Sequence, residues 1–126
     1  MSQENVEVVR AIYTAWSHGE SARRLIDADV EYVNPPDAVE AGTRRGRAAF
    51  ARIRDAYEDV RIEPEQFLDA GDDVVVIARI TGKGRGSGVQ IDWRQGYIWT
   101  IEAGKGVRFR WFNKPEQALE AAGLSA

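Results

Sequence analysis

The chain has 126 residues, 44% of them hydrophobic and 29% charged, with a formal net charge of −3 and no cysteine. This length and composition suit one folded domain over residues 1–126 and argue against a disordered chain. The charge balance disfavours a nucleic-acid binder, no apolar run approaches the roughly 20 residues of a membrane span, and disulfide and thiolate chemistry are excluded. The polar N-terminus does not look like a signal peptide, so we expect a cytoplasmic protein.

The N-terminal part of the chain predicts two helices and a strand. Apolar residues recur at three- and four-residue steps in a first helix that begins near Ser2 and ends at Gly19. A short second helix is expected over Ser21–Ile26. The stretch Asp29–Val33 alternates in the manner of a strand.

Asn34 and the two prolines after it must end this strand, since proline cannot donate to a β-ladder. A loop from Asp37 to Gly46 is expected to follow. The next apolar stripe predicts a third helix from about Arg47 to Glu58.

Four strands and a final helix are predicted in the remainder: Arg61–Ala70, Asp73–Gly82, Gly88–Ile101, Val107–Asn113 and the helix Pro115–Ala122. Pro64 indicates an edge strand or a bulge. Short turns between successive strands require antiparallel pairing, and helices packed on such a sheet define an α+β domain. The glycine-rich tract Gly82–Gly88 is interpreted as a hairpin turn rather than a phosphate loop, because a strand follows it.

The strand Val74–Ile80 is apolar on both of its faces, whereas Val89–Ile101 collects its aromatic residues on one. If the helices cover only one face of the sheet, the other would expose a large apolar patch. We therefore predict a homodimer packed through the open face of the sheet. The alternative is a curved sheet that hides both faces within one chain.

Several local patterns, taken in order, resemble the SnoaL-like, nuclear transport factor 2-like superfamily. They are Val8–Arg10 with Tyr13–Trp16 and Gly19, then Asp29–Tyr32, Gly42–Gly46 and Gly104–Lys105. The resemblance spans essentially the whole chain. It implies a cystatin-like α+β cone, with a curved mixed, mostly antiparallel sheet and three N-terminal-half helices packed on its concave face. Members include polyketide cyclases, isomerases, dehydratases and pure binding proteins, so the fold alone selects no reaction.

Two known chemistries of this superfamily match only in part. Tyr32 and Asn34 resemble the residues that hold the attacking water in limonene epoxide hydrolase, and Arg79 matches its central arginine. The two proton-transferring aspartates on either side of that arginine correspond to Thr81 and Trp111. Neither residue moves a proton at neutral pH.

The match to ketosteroid isomerase is incomplete in the same way. Its tyrosine donor is matched by Tyr13, while the positions of its two aspartates fall near Asn34 and Gly96. A donor without a base cannot shuttle a proton between carbon atoms.

Asp92 is the candidate general base that remains. Strand alternation brings it close to Arg79, which would hold the carboxylate ionised. The alternative interpretation is a simple cross-strand salt bridge.

The leading hypothesis is a SnoaL-like protein that binds a small apolar or aromatic molecule with a polar group, without metal, cofactor, nucleic acid or membrane. The predicted pocket residues are Tyr13, Trp16, Tyr32, Asn34, Tyr57, Arg79, Thr81 and Trp111. The sequence leaves open whether the protein is an enzyme. The alternatives are a cofactor-independent cyclase, isomerase or dehydratase that uses Asp92, and a structural dimerisation module without activity.

Overall fold

A computed structural model describes residues 2–124, with every side chain in that range except those of Ser2 and Arg54. In chain order the elements are α1 (Ser2–Ser17), β1 (Ile26–Asn34), β2 (Gly42–Arg45), a 3₁₀ helix (Arg47–Ala51), α2 (Ile53–Ala56), β3 (Tyr57–Ala70), β4 (Asp73–Gly84), β5 (Gln90–Glu102), β6 (Lys105–Phe112) and α3 (Pro115–Ala121). No helix among the described residues has the length and apolar character needed to cross a bilayer.

The six strands form one sheet in the order β2-β1-β6-β5-β4-β3. β1 and β6 pair in parallel, and every other neighbouring pair is antiparallel. The predicted α+β class and the mixed, mostly antiparallel sheet are confirmed. Pro64 lies on the edge strand β3, and the register shifts between Pro64 and Gln66, as expected for a residue that lacks an N–H donor.

The predicted second helix, Ser21–Ile26, is wrong. The described residues 18–25 form turns and no helix, and Ile26 already belongs to β1. Ala22 has φ of 56°, which lies outside the helical region. The backbone N–H of Gly106 donates to the carbonyl of Leu25 at 2.8 Å, so pairing with β6 begins at the end of this segment.

The predicted third helix, from Arg47 to Glu58, is much reduced. The 3₁₀ helix and the single turn α2 occupy its first ten residues, and Tyr57 pairs with Gly84 in the sheet. Two α-helices therefore lie in the described N-terminal half instead of three. The expected loop from Asp37 to Gly46 also contains a strand, β2, which lengthens the wall beside β1.

The two faces of β4 are both buried, by different elements. Val74, Val76, Ala78 and Ile80 join the main core beneath α1, on what we call the inner face. Val75 and Ile77 lie on the outer face, in a second cluster with Ile98 and with Ala118 of α3.

Gly96 explains how α3 approaches the outer face so closely. A Cβ atom at this position would lie 2.5 Å from the Cβ of Ala118 and 3.2 Å from the Cα of Pro115. The expectation that helices cover only one face of the sheet is therefore wrong. The apolar strand that motivated the homodimer prediction is covered within the chain, and the homodimer itself stays a prediction.

Candidate functional site

The inner face of the sheet, the end of α1 and the segment from the 3₁₀ helix to α2 surround a hollow of about 1540 Å³ that opens to solvent. Six of the residues predicted for a pocket line it: Tyr13, Trp16, Tyr32, Asn34, Tyr57 and Trp111. Six of the eight predicted pocket residues thus surround one hollow. Their role in binding a ligand remains a prediction.

One side of the hollow is a continuous group of aromatic rings, Tyr13, Trp16, Tyr32, Phe50 and Phe109, which we call the aromatic floor. Phe50 is its centre, with ring centroids 5.0 Å from Tyr32, 5.1 Å from Phe109 and 5.5 Å from Trp16. Behind the floor, Phe50 stacks on the fully buried Trp99 at 5.4 Å, with the planes 5° apart. Such a surface favours flat apolar partners.

Tyr13 connects the floor to the core. The Nε1 of Trp99 donates to the Tyr13 hydroxyl at 3.0 Å, and Tyr13 is only 6% exposed. Burial raises the pKa of Tyr13 well above its ordinary value, so the phenol is neutral at physiological pH. Glycine at position 106 makes this arrangement possible, because a Cβ there would lie 2.8 Å from the Trp99 ring.

Tyr32 is a second neutral phenol in the wall. Burial raises its pKa to about 12, although the positive charge of Arg52 acts in the opposite direction. No hydrogen bond of the Tyr32 hydroxyl occurs among the described residues. This hydroxyl is therefore free to meet an occupant of the hollow.

Asn34 and Trp111 form a polar pair on the neighbouring strands β1 and β6. The Nε1 of Trp111 donates to Oδ1 of Asn34 at 2.7 Å, and Nδ2 of Asn34 donates to the Gly42 carbonyl at 3.4 Å. The amide is thereby held in one orientation. The predicted part of Asn34 in a ligand pocket stays a prediction.

Sequence reasoning missed Phe50, Gln95, Tyr97 and Phe109 as wall residues. The hydroxyl of Tyr97 donates to Oε1 of Gln95 at 3.0 Å, and burial raises the pKa of this phenol too. A signal was present, because Gln95 has the same strand parity as Tyr97 and Trp99. A polar residue within an aromatic stripe indicates a polar group in the wall of a pocket.

The mouth of the hollow carries charges at Asp37, Glu40, Arg44 and Arg52, which we call the rim. Glu40 forms an ion pair with Arg44, and its two carboxylate oxygens also accept from Arg52 at 2.9 and 3.0 Å. Asp37 accepts from Nδ2 of Asn113 at 3.2 Å. Two guanidinium groups thus share one carboxylate among the residues that line the hollow.

Arg79, Thr81 and Asp92 do not line the hollow, and their predicted place in the pocket is corrected. Thr81 pairs with Asp92 in the β4–β5 register, on the same outer face as Val75 and Ile77. Arg79 binds Asp92 through Nε at 2.8 Å and Nη2 at 2.6 Å. Both side chains are about half exposed.

The cross-strand salt bridge is therefore the correct interpretation of Arg79 and Asp92. The hydrogen bonds from Arg79 hold the pKa of the Asp92 carboxyl below its usual range. An exposed carboxylate on the far side of the sheet is misplaced for a general base acting in the hollow.

The fold and the hollow define a class of protein, an α+β domain whose sheet and helices surround an open hollow. The chain belongs to the SnoaL-like domain family, whose model matches residues 9–109. A comparison with curated proteins finds no match.

Solved structures share the whole fold. A nuclear transport factor 2-like protein from Burkholderia thailandensis is 25% identical, with 90% of this chain and 95% of that chain covered and a TM-score of 0.76. TerC, co-crystallised with polyporic acid, is 22% identical over 95% and 98% of the two chains, with a TM-score of 0.73. A protein with a ketosteroid isomerase-like fold from Catenulispora acidiphila, in complex with trimethylamine, is 23% identical over 94% of each chain, with a TM-score of 0.70.

Proposed function

We propose that this protein binds a flat, largely apolar organic molecule in the hollow, without covalent chemistry. The observation that carries the proposal is the aromatic floor, which an open space of about 1540 Å³ leaves accessible to a ligand. Small-molecule sites are typically concave and aromatic, with a few placed polar groups. Tyr32 and Gln95 supply such groups in this wall.

The distribution of acids and bases supports binding over proton-transfer catalysis. The carboxylates among the described wall residues are Glu20, Asp37, Glu40 and Glu63, and each of these residues is exposed. Within the wall, Tyr13 and Tyr32 are neutral phenols, and the neutral amide of Gln95 accepts from Tyr97. A cyclase, isomerase or dehydratase mechanism needs a base within reach of the substrate proton, and Asp92 lies on the other face of the sheet.

The related structures support the proposal through the small molecules crystallised with them. TerC was co-crystallised with polyporic acid, and the Catenulispora protein was crystallised with trimethylamine. Proteins with this fold thus serve as hosts for unlike small molecules, which is consistent with a cavity whose specificity depends on its wall residues.

Two measurements test the proposal. Native mass spectrometry on freshly purified protein reports any retained organic molecule together with the number of subunits. Equilibrium dialysis with fluorene, a flat tricyclic hydrocarbon, then measures affinity for wild type, Phe50→Ala and Arg79→Ala. We expect Phe50→Ala to bind roughly 2- to 10-fold more weakly, since an aromatic contact contributes about 0.5–1.5 kcal/mol.

Arg79→Ala is the matched control, because Arg79 lies on the outer face and should leave the affinity for fluorene unchanged. Circular dichroism verifies that each variant is folded. If wild type retains no molecule and binds no fluorene, or if both variants bind it as wild type does, the proposal is wrong.

A further inference from the structure

Gln95 is a buried polar side chain in an otherwise aromatic and aliphatic strand face. It is 7% exposed, pairs with Ala78 of β4 in the inner-face register, and contributes to the wall of the hollow. Its neighbours on the same face of β5 are Trp93 and Tyr97. Buried amides in proteins are normally fully hydrogen-bonded, so this one calls for an explanation.

Only one end of the amide is satisfied. The Tyr97 hydroxyl donates to Oε1 of Gln95 at 3.0 Å, and the phenol keeps its proton because burial opposes its ionisation. An amide offers one acceptor oxygen and two N–H donors. Among the described residues, Nε2 of Gln95 makes no hydrogen bond. Tyr97 therefore fixes the amide with its donor end unused.

A second polar group of the same wall also has a donor without a partner. The Tyr32 hydroxyl carries a proton and has no hydrogen-bond partner in the described part of the chain. Oδ1 of Asn34, by contrast, already accepts from Trp111 at 2.7 Å. Nε2 of Gln95 and the Tyr32 hydroxyl are therefore free donors, while the oxygens of Gln95 and Asn34 each already accept one hydrogen bond. A ligand complements such a wall by presenting an acceptor and no donor at this place.

We infer that Gln95 is a specificity-determining residue and that the natural ligand presents a hydrogen-bond acceptor oxygen, such as a ketone or quinone carbonyl, to its Nε2. Tyr97 is the positioning residue for this contact. The inference rests on the proposed function, since it names the ligand class for the same hollow.

Three flat probes of nearly equal size separate the possibilities: 9-fluorenone, which has a carbonyl acceptor; fluorene, which has neither donor nor acceptor; and carbazole, which has an N–H donor. Equilibrium dialysis gives Kd for each. We expect wild type to bind 9-fluorenone about 3- to 10-fold more tightly than fluorene, the range of one neutral hydrogen bond, and carbazole no better than fluorene.

Two variants assign the preference to Gln95. Gln95→Met keeps the length of the side chain without its donors, and it should bring the affinities for 9-fluorenone and fluorene together. Tyr97→Phe frees Oε1 and releases the amide, so it should tighten carbazole binding relative to fluorene while reducing the preference for 9-fluorenone. A merely structural role of Tyr97 would weaken all three probes alike.

The outcomes distinguish the two proposals. If no probe binds wild type, this inference is overturned, and the proposed function fails with it unless native mass spectrometry finds a retained organic molecule. If fluorene binds but 9-fluorenone has no advantage, or if the advantage survives in Gln95→Met, the inference about Gln95 is overturned and the proposed function stands. If circular dichroism shows that Gln95→Met is unfolded, the inference is tested by carbazole binding to Tyr97→Phe. It is overturned if this variant does not bind carbazole more tightly relative to fluorene.

Discussion

Trp99 donates a hydrogen bond from its indole nitrogen to the hydroxyl of Tyr13 across 3.0 Å, and this contact joins α1 to β5. The two rings also meet edge to face at 6.2 Å. Trp99 is fully buried behind the aromatic floor, whereas Tyr13 is part of that floor. One residue pair thus stabilises the core and shapes the hollow, which links fold stability to ligand binding.

Replacing Tyr13 with phenylalanine should destabilise the protein. Tyr13→Phe removes the acceptor of a buried indole N–H, and a buried donor left without a partner costs about 1–3 kcal/mol. Urea unfolding monitored by circular dichroism measures the change in the free energy of unfolding. Tyr57→Phe is the matched control, because the Tyr57 hydroxyl forms no hydrogen bond within the described residues and its ring contact with Trp93 is retained. Equal losses for the two variants would contradict the role given to Tyr13.

Adding a methyl group at Gly96 should push α3 away from the sheet. Because the new Cβ of Gly96→Ala would meet that of Ala118 at 2.5 Å, we expect a loss of about 1–3 kcal/mol, the usual cost of overpacking. Chemical denaturation measures it. In the Ala118→Gly background the same substitution should cost clearly less, because the opposing methyl group is absent. An equal cost in both backgrounds would show that the close approach is not the cause.

The Arg79–Asp92 ion pair predicts a pH-dependent difference between wild type and Asp92→Asn. The pair lowers the pKa of Asp92 in the folded protein relative to its ordinary 3.8. Its stabilising effect is therefore fully present above pH 3.8 and is lost as the pH falls through the lower, folded-state pKa. Thermal unfolding should show a small advantage of wild type at neutral pH that disappears on acidification and in high salt. An advantage that persists in strong acid would refute this account.

The buried phenols predict weakening at alkaline pH. Burial raises the pKa of Tyr32 from its ordinary 10.0 to about 12. The stability that the neutral phenol contributes to the folded protein is therefore fully present below pH 10.0 and is lost as the pH rises through about 12. The free energy of unfolding should therefore fall above pH 10.0, and more steeply in wild type than in Tyr32→Phe. Phenolate absorbance in the near ultraviolet identifies the ionisation. A stability that is level across this range, or slopes that are equal in the two proteins, would argue against a raised pKa of Tyr32.

Local pattern was sufficient for much of the fold. The three- and four-residue spacing of apolar residues predicted α1, and alternation with short turns predicted the last four strands and their antiparallel order. The same alternation brought Arg79 and Asp92 together, since their separation depends only on where the hairpin turns. The helix predictions failed at Ser21–Ile26 and at Arg47–Glu58, where weak helical patterns compete with pairing to β6 and β4.

The sequence by itself determined which residues share a strand face, because side chains in a strand alternate with a period of two. Only the tertiary structure decided which of those faces became the inside. α1 packs over the face of Trp99, with Tyr13 as its contact, while α3 covers the face of Ile98 because Gly96 allows it to approach. That choice puts Gln95 in the wall of the hollow and Arg79 outside it, since two helices distant in the chain bury opposite sides of one sheet.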